Sequence, residues 1–149
     1  MFVFRPVTEK DEARFIALAL ETPSALTSMP KDIFLIKEKL KKSLLSFASN
    51  TTSVDEGQYL FVLEETETKE LIGMSALYTN IGSYSPIYYY KLLDEKREKL
   101  PASLAEFSVP QQILQVVPAG KGATEIGTLY LKHEYRKEGL GPLLSLSRF

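Results

Sequence analysis

Glu125-Ile126-Gly127-Thr128-Leu129-Tyr130-Leu131, followed after a short gap by Arg136-Lys137-Glu138-Gly139-Leu140-Gly141, is the stretch on which the reading of this chain turns. β-Branched, aromatic and aliphatic residues dominate the first segment, which predicts a strand from Thr124 to Leu131. The second segment has the form R-x-x-G-x-G and runs into Leu143 and Leu144, so it predicts a glycine turn and the start of a helix. A strand, a glycine turn and a helix start make a site where bare backbone N–H groups and a helix N-terminus hold an anion. Gly139 and Gly141 let the backbone come close to a phosphate, although a plain tight turn would use the same two residues. Arg136 in register favours phosphate, and Lys137 and Leu140 would complete the cradle. Pro142 falls in the first helical turn, where a missing N–H is tolerated. The sequence stops eight residues past Gly141, at Phe149, so the surrounding domain is expected to be incomplete there.

Working outward, Phe2 to Arg5 reads as a first strand ended by Pro6. Thr8 and Asp11 resemble a capping box with Asp in place of Glu, ahead of a helix from about Glu9 to Glu21 with Phe15, Leu18 and Ala19 at helical spacing. Thr22-Pro23-Ser24 breaks it. A second helix is predicted from Lys31 to Phe47, with Ile33, Ile36, Leu40, Leu44 and Phe47 on one face and the lysines on a solvated surface. Tyr59 to Leu63 and Leu71 to Tyr78 read as an antiparallel hairpin, with Gly73 marking a bulge or a close backbone approach. From Asn80 to Gly122 the pattern loosens. Tyr84 and Tyr88 to Tyr90 cluster around Pro86, Lys91 to Leu100 reads as a short helix or an exposed loop, and Ile113 to Val117 as a strand.

At 149 residues the chain is one domain's worth, with 44% apolar and 25% charged residues. A formal net charge of −1 argues against nucleic-acid binding through bulk charge. There is no cysteine, which removes disulfides, thiolate metal sites and a cysteine nucleophile, and fits a cytoplasmic protein. No metal-ligand spacing and no Ser/His/Asp set stand out. No signal peptide is visible, and no apolar run reaches the roughly 20 residues of a membrane helix, so no membrane partner is expected.

The order strand, two helices, two strands, then a strand feeding R-x-x-G-x-G resembles the GNAT fold of acyl-CoA-dependent N-acyltransferases. More narrowly, the chain resembles the N-terminal portion, or beta chain, of the arginine N-succinyltransferase family. Arg5-Pro6-Val7, the loop Leu26-Thr27-Ser28-Met29-Pro30, the strand Tyr59 to Glu64, Ser85-Pro86 with Tyr88 and Tyr90, and above all Glu125 to Phe149 carry the resemblance. It departs at Leu131-Lys132-His133, where the family has L-D-P, and at Lys91, where the family favours Arg. From Leu92 to Val116 it matches poorly.

The resemblance implies an α/β (α+β) class. It implies one GNAT-like domain over residues 1–149, with a mixed, mainly antiparallel sheet flanked by helices and cut short after the start of the last helix. It implies transfer of succinyl from succinyl-CoA, a dissociable acyl donor and not a covalently bound cofactor, to the α-amine of arginine in arginine catabolism. Leu129, Tyr130, Leu131, Arg136, Lys137, Glu138, Gly139, Leu140 and Gly141 would hold the CoA, with backbone amides near Leu129 on the acyl group. Leu129 as a plain buried strand residue is the other reading. No catalytic residue is assigned, because the family's histidine acid has no counterpart here and the chain alone is expected to be inactive or very weak. His133 reads as a surface loop residue. Glu125 stands open between orienting an amine or water and a structural pairing, and Tyr88 to Tyr90 between stacking on substrate and packing. Two other readings stand beside this one. The chain is a non-catalytic partner subunit or inactive remnant that associates as a homo- or hetero-oligomer, or it is a GNAT-like acyltransferase for another amine.

Overall fold

The computed structural model describes residues 1–49, 56–83, 86–94, 112–118, 122–136 and 139–149. The chain runs β1 (Phe2–Pro6), a 3-10 turn (Glu9–Asp11), α1 (Glu12–Glu21), α2 (Ile33–Ala48), β2 (Gln58–Glu65), β3 (Leu71–Ile81), β4 (Tyr88–Asp94), β5 (Gln112–Pro118), β6 (Ala123–Leu131), a 3-10 turn (His133–Tyr135) and α3 (Leu140–Leu146). β1, β2, β3 and β6 form a sheet in the order β1-β2-β3-β6, antiparallel throughout, and β4 and β5 pair as a separate antiparallel ribbon.

Side chains alternate across a strand, so neighbouring residues of β2 serve two cores. Leu60 and Val62 join Phe15, Leu18, Ile36, Leu40 and Met74 beneath α1 and α2. Leu63 joins Ile72, Leu131, Leu140 and Leu144 on the opposite face, beneath α3. The expected α/β class is therefore present as an antiparallel sheet with helices on both faces. Gly73 carries both features read from it. The β2–β3 register shifts beside it, and a Cβ built on it would lie 3.0 Å from the Tyr130 carbonyl oxygen and 3.0 Å from Leu144. Only glycine lets β3, β6 and α3 close this tightly.

The stripe of α2 differs from expectation. Ile36, Leu40 and Ser43 are buried, while Ile33 is 51% exposed and Phe47 is partly so, against Tyr59 and Phe61. The helix starts at Ile33 because Asp32 caps it, accepting the Leu35 N–H at 3.0 Å. A serine is buried because β1 ends opposite Phe61 and leaves Leu60 without a strand partner on that side. The Leu60 N–H donates to Ser43 Oγ at 2.8 Å, its carbonyl accepts the Val7 N–H, and the Gln58 N–H donates to Ser46 Oγ at 3.1 Å. Helix hydroxyls thus finish the sheet where backbone pairing stops.

The Thr8–Asp11 cap became the centre of an ion network. Asp11, fully buried, accepts from the Thr8 N–H at 2.8 Å, the Thr8 hydroxyl at 2.7 Å and both terminal nitrogens of Arg5 at 2.7 and 2.9 Å. Arg14 also pairs with Asp11, and Glu64 with Arg5. Burial alone would push the Asp11 carboxyl up; the Arg5 and Thr8 hydrogen bonds outweigh it and hold the carboxyl well below the usual carboxylate range. The hydrogen bond from Arg5 likewise lowers Glu64.

The loosely patterned region holds two corrections. Lys91 to Asp94 extend β4 instead of forming a helix or loop, because Leu92 and Leu93 pair with Leu114 and Ile113 across the ribbon. Tyr88, Tyr89 and Tyr90 are 61%, 54% and 67% exposed, so they do not pack into a core. Tyr84, residues 95–100 and the connection 119–121 lie outside the described residues.

Candidate functional site

β6 is the outer strand of the sheet, and its ladder to β3 is broken by a bulge. Ala76 faces Gly127 and Met74 faces Tyr130, so Thr128 and Leu129 together oppose Ser75. Thr128 takes φ +49°, a left-handed conformation costly for a β-branched residue. Burial holds it there, together with a 2.7 Å hydrogen bond between its hydroxyl and that of Tyr78, whose ring lies 5.0 Å from the Lys39 ammonium. The bulge turns the following residue outward: Leu129 is 43% exposed, which removes the reading of it as a buried strand residue.

Leu129, Tyr130 and Leu131 line one wall of a cleft of about 520 Å³. Arg136, Gly139, Gly141, Pro142 and Leu144 also line it. Gly139 caps α3 at φ +77°, which demands glycine. A Cβ added at Gly139 or at Gly141 would meet nothing within 4 Å, so both backbones face open space. Arg136 donates its Nε to the Leu131 carbonyl at 3.0 Å, tying the turn to the end of the strand; among the described residues its terminal nitrogens make no hydrogen bond or ion pair. Leu140 is buried against Leu63 and Ile72, so it anchors the turn and does not line the cleft. Lys137 and Glu138 lie outside the described residues.

The sequence reading missed the opposite wall. Pro23 and Leu26, from the loop after α1, line the same cleft as Leu129. That loop is held by buried Met29 and by the Lys31 ammonium, which donates to the carbonyls of Ala19, Leu20 and Thr22 at the end of α1. In the sequence, Leu26 to Pro30 stands out only as a stretch of resemblance. Periodicity gives no means of bringing it to β6, since the contact is made by tertiary packing.

His133 is exposed in the 3-10 turn, as expected for a surface position. Glu125 is exposed on β6 opposite Tyr78. Lys132, at the departure from the family pattern, is tied to Glu70 at 2.7 Å and to Glu21. Burial would lower the Lys132 ammonium, but the two carboxylates raise it well above the usual lysine range. Lys132 is thus a paired cation that ties the end of β6 to the end of α1 and the start of β3. Among the described residues there is no cluster of metal-ligating side chains, and no helix is long and apolar enough to cross a membrane.

Comparison with known proteins agrees with the geometry. The chain is 30% identical over 155 residues to the arginine N-succinyltransferase of Citrobacter koseri and 32% identical to that of Enterobacter sp. (strain 638). Each alignment takes in 100% of this chain and 42% of the relative. The solved structure of arginine/ornithine succinyltransferase subunit AI from Pseudomonas aeruginosa superposes with a TM-score of 0.81 at 26% identity, covering 99% of this chain and 44% of that one. This chain therefore spans less than half the length of the relatives it matches. Residues 2–149 match the family described as AstA, arginine N-succinyltransferase beta subunit, and the chain belongs to that family.

Proposed function

We propose that this chain supplies the acyl-CoA-binding portion of an arginine N-succinyltransferase. That enzyme moves a succinyl group from the sulfur of succinyl-CoA to the α-amine of arginine, in the cytoplasm and in arginine catabolism. The observation that carries this reading is the cleft on the outer edge of β6. An apolar channel passes a strand bulge and ends at two glycines whose backbones face open space beside Arg136. Such a channel suits the pantetheine arm, and the turn suits the pyrophosphate. Leu129, Tyr130, Leu131, Arg136, Gly139 and Gly141 are the residues for which the described geometry supports this role, with Lys137 and Glu138 expected to extend it and Leu140 to support it from below.

Acyl transfer builds negative charge on the thioester oxygen, and a backbone N–H at the bulge is suited to receive it. The attacking amine must lose a proton, and the thiolate must gain one. None of the described side chains on the cleft is a proton carrier poised for both steps, and the chain corresponds to 42% of its relatives' length. No catalytic residue is therefore proposed among the described residues. The acceptor amine is arginine by family, and because the Pseudomonas aeruginosa neighbour is an arginine/ornithine succinyltransferase subunit, ornithine is the second amine to test.

Calorimetric titration with CoA and succinyl-CoA tests the cleft, and a thiol reagent then reads any CoA released with arginine or ornithine present. The chain has no cysteine, so the reagent reports CoA alone. Saturable binding with little or no turnover is expected. A folded sample that binds neither ligand near millimolar concentration would overturn the cofactor role.

A second reading, a subunit working within a homo- or hetero-oligomer, is favoured by the β4–β5 ribbon. Tyr88, Tyr89, Tyr90, Leu92, Leu114 and Val116 are all more than half exposed on a two-stranded element of a kind marginal in isolation. Light scattering on the purified chain decides between monomer and assembly.

A further inference from the structure

A second cleft of about 520 Å³ lies beside α2, and the proposed function leaves it unused. Its polar lining comes from Thr27 and Ser28 of the loop after α1, from Glu38, Lys39 and Lys42 of α2, and from Gln58 at the start of β2. Lys39 and Lys42 stand three residues apart and share a face of the helix. The sequence places the lysines of α2 on a solvated surface, but Lys39 is half-buried. Among the described residues neither ammonium meets a carboxylate, whereas Lys37, Lys69 and Lys132 each do. Gln58 is 5% exposed and donates its side-chain N–H to the Lys39 carbonyl at 2.9 Å. Its amide oxygen has no hydrogen-bond donor among the described residues. A buried acceptor without a donor, on the wall of a cleft, points to a ligand that supplies one.

The second cleft is joined to the first. One loop lines both, with Pro23 and Leu26 in the first and Thr27 and Ser28 in the second. The Lys39 ammonium donates to the Tyr78 hydroxyl at 3.4 Å, and that hydroxyl shares a 2.7 Å hydrogen bond with the hydroxyl of Thr128. Lys39 is therefore two hydrogen bonds from the bulge, and Thr128 directly precedes Leu129, which lines the first cleft.

The lining divides into two sets. The ammoniums of Lys39 and Lys42 and the hydroxyls of Thr27 and Ser28 are donors suited to a carboxylate. The Glu38 carboxylate and the Gln58 amide oxygen are acceptors suited to a cationic group. A zwitterion answers both sets, while a simple anion answers only the first. We propose that this cleft binds a free amino acid, its carboxylate held by Lys39 and Lys42, as the acceptor of the acyl group. The acceptor role rests on the acyl-CoA reading of the first cleft; the binding of an amino acid does not.

The test follows backbone amide shifts of the 149-residue chain during titration with arginine, with agmatine, which is arginine without its carboxylate, and with acetate. Each titration is run with and without saturating CoA, on the wild type, Lys39→Met, Lys42→Met and Lys42→Arg, and the thermal unfolding of each variant is recorded. Arginine is expected to shift Thr27, Ser28, Lys39, Lys42 and Gln58 saturably, and to bind about tenfold or more tightly than agmatine, as a charge-assisted hydrogen bond gives. Lys39→Met and Lys42→Met should erase that preference while CoA still shifts Leu129 to Leu131, and Lys42→Arg should keep it. Agmatine binding as tightly as arginine overturns the proposal. So do shifts from arginine centred elsewhere, or acetate binding as tightly as arginine, which would make the cleft a general anion patch. A preference that survives both methionine variants overturns it too. If arginine binds here and CoA binds nowhere, the cofactor reading and the acceptor role fail and the amino-acid site stands; if CoA binds and arginine does not, this inference alone fails.

Discussion

In β2, Leu60, Val62 and Leu63 are completely buried, whereas in β6 of the same sheet Glu125, Ile126 and Leu129 are exposed. The difference lies in what each strand is given as a neighbour. β2 has β1 on one side until Pro6, then the hydroxyls of Ser43 and Ser46, and β3 on the other side. β6 has β3 on one side and, at two of its carbonyls on the other, only arginine side chains. The inner half of the sheet is finished by its own sequence. The outer strand keeps a bulge and an open cleft, the features on which the proposed acyl-CoA site rests.

The largest expected effect is on the closed side. Met74→Ala empties a fully buried position between α1, α2 and the sheet and should cost about 2–5 kcal/mol in urea unfolding, while Leu129→Ala should change stability by about 0.5 kcal/mol or less. Equal losses at the two sites would break the contrast.

Asp11→Asn should cost on the order of 3 kcal/mol, because Arg14 and part of Arg5 lose their buried partner. The folded Asp11 carboxyl lies below its unfolded value, so its contribution is fully present above about pH 5 and is lost as the pH falls below about 4. Urea midpoints taken across that range should fall for the wild type and fall less for the variant.

Ser43→Ala leaves the Leu60 N–H without an acceptor inside the core and should cost about 1–3 kcal/mol. Ser43→Thr, which keeps the hydroxyl, tells the lost bond from the lost volume. The smallest effect on folding belongs to the cleft. Gly141→Val adds a side chain into open space, so the unfolding midpoint should hardly move, but CoA affinity should fall by about tenfold or more. A variant that binds CoA as before would remove the turn from the site.

Much of this was legible in the sequence for one reason: alternation and helical spacing report which face of an element is buried, and here most faces are. Phe15, Leu18, Ile36 and Leu40 are core residues as their spacing indicates, and the strand–turn–helix from Thr124 stands where the glycines put it. Ser43 was not legible, because a buried hydroxyl follows from where a distant strand happens to end. Neither was the ribbon, whose exposed aliphatic and aromatic residues look like a core when read as a string. Pro23 and Leu26 join the cleft beside β6 only through tertiary packing, so no local pattern announces them.

The central claim is that the ligand binds in the cleft between the end of β6 and the glycine turn. Backbone amide shifts followed during a CoA titration test it most directly. The account predicts saturable shifts concentrated at Leu129 to Leu131, Gly139 and Gly141, with Leu60 to Leu63 of β2 silent. No shifts at about millimolar CoA, or shifts centred on the β4–β5 ribbon instead, would contradict it.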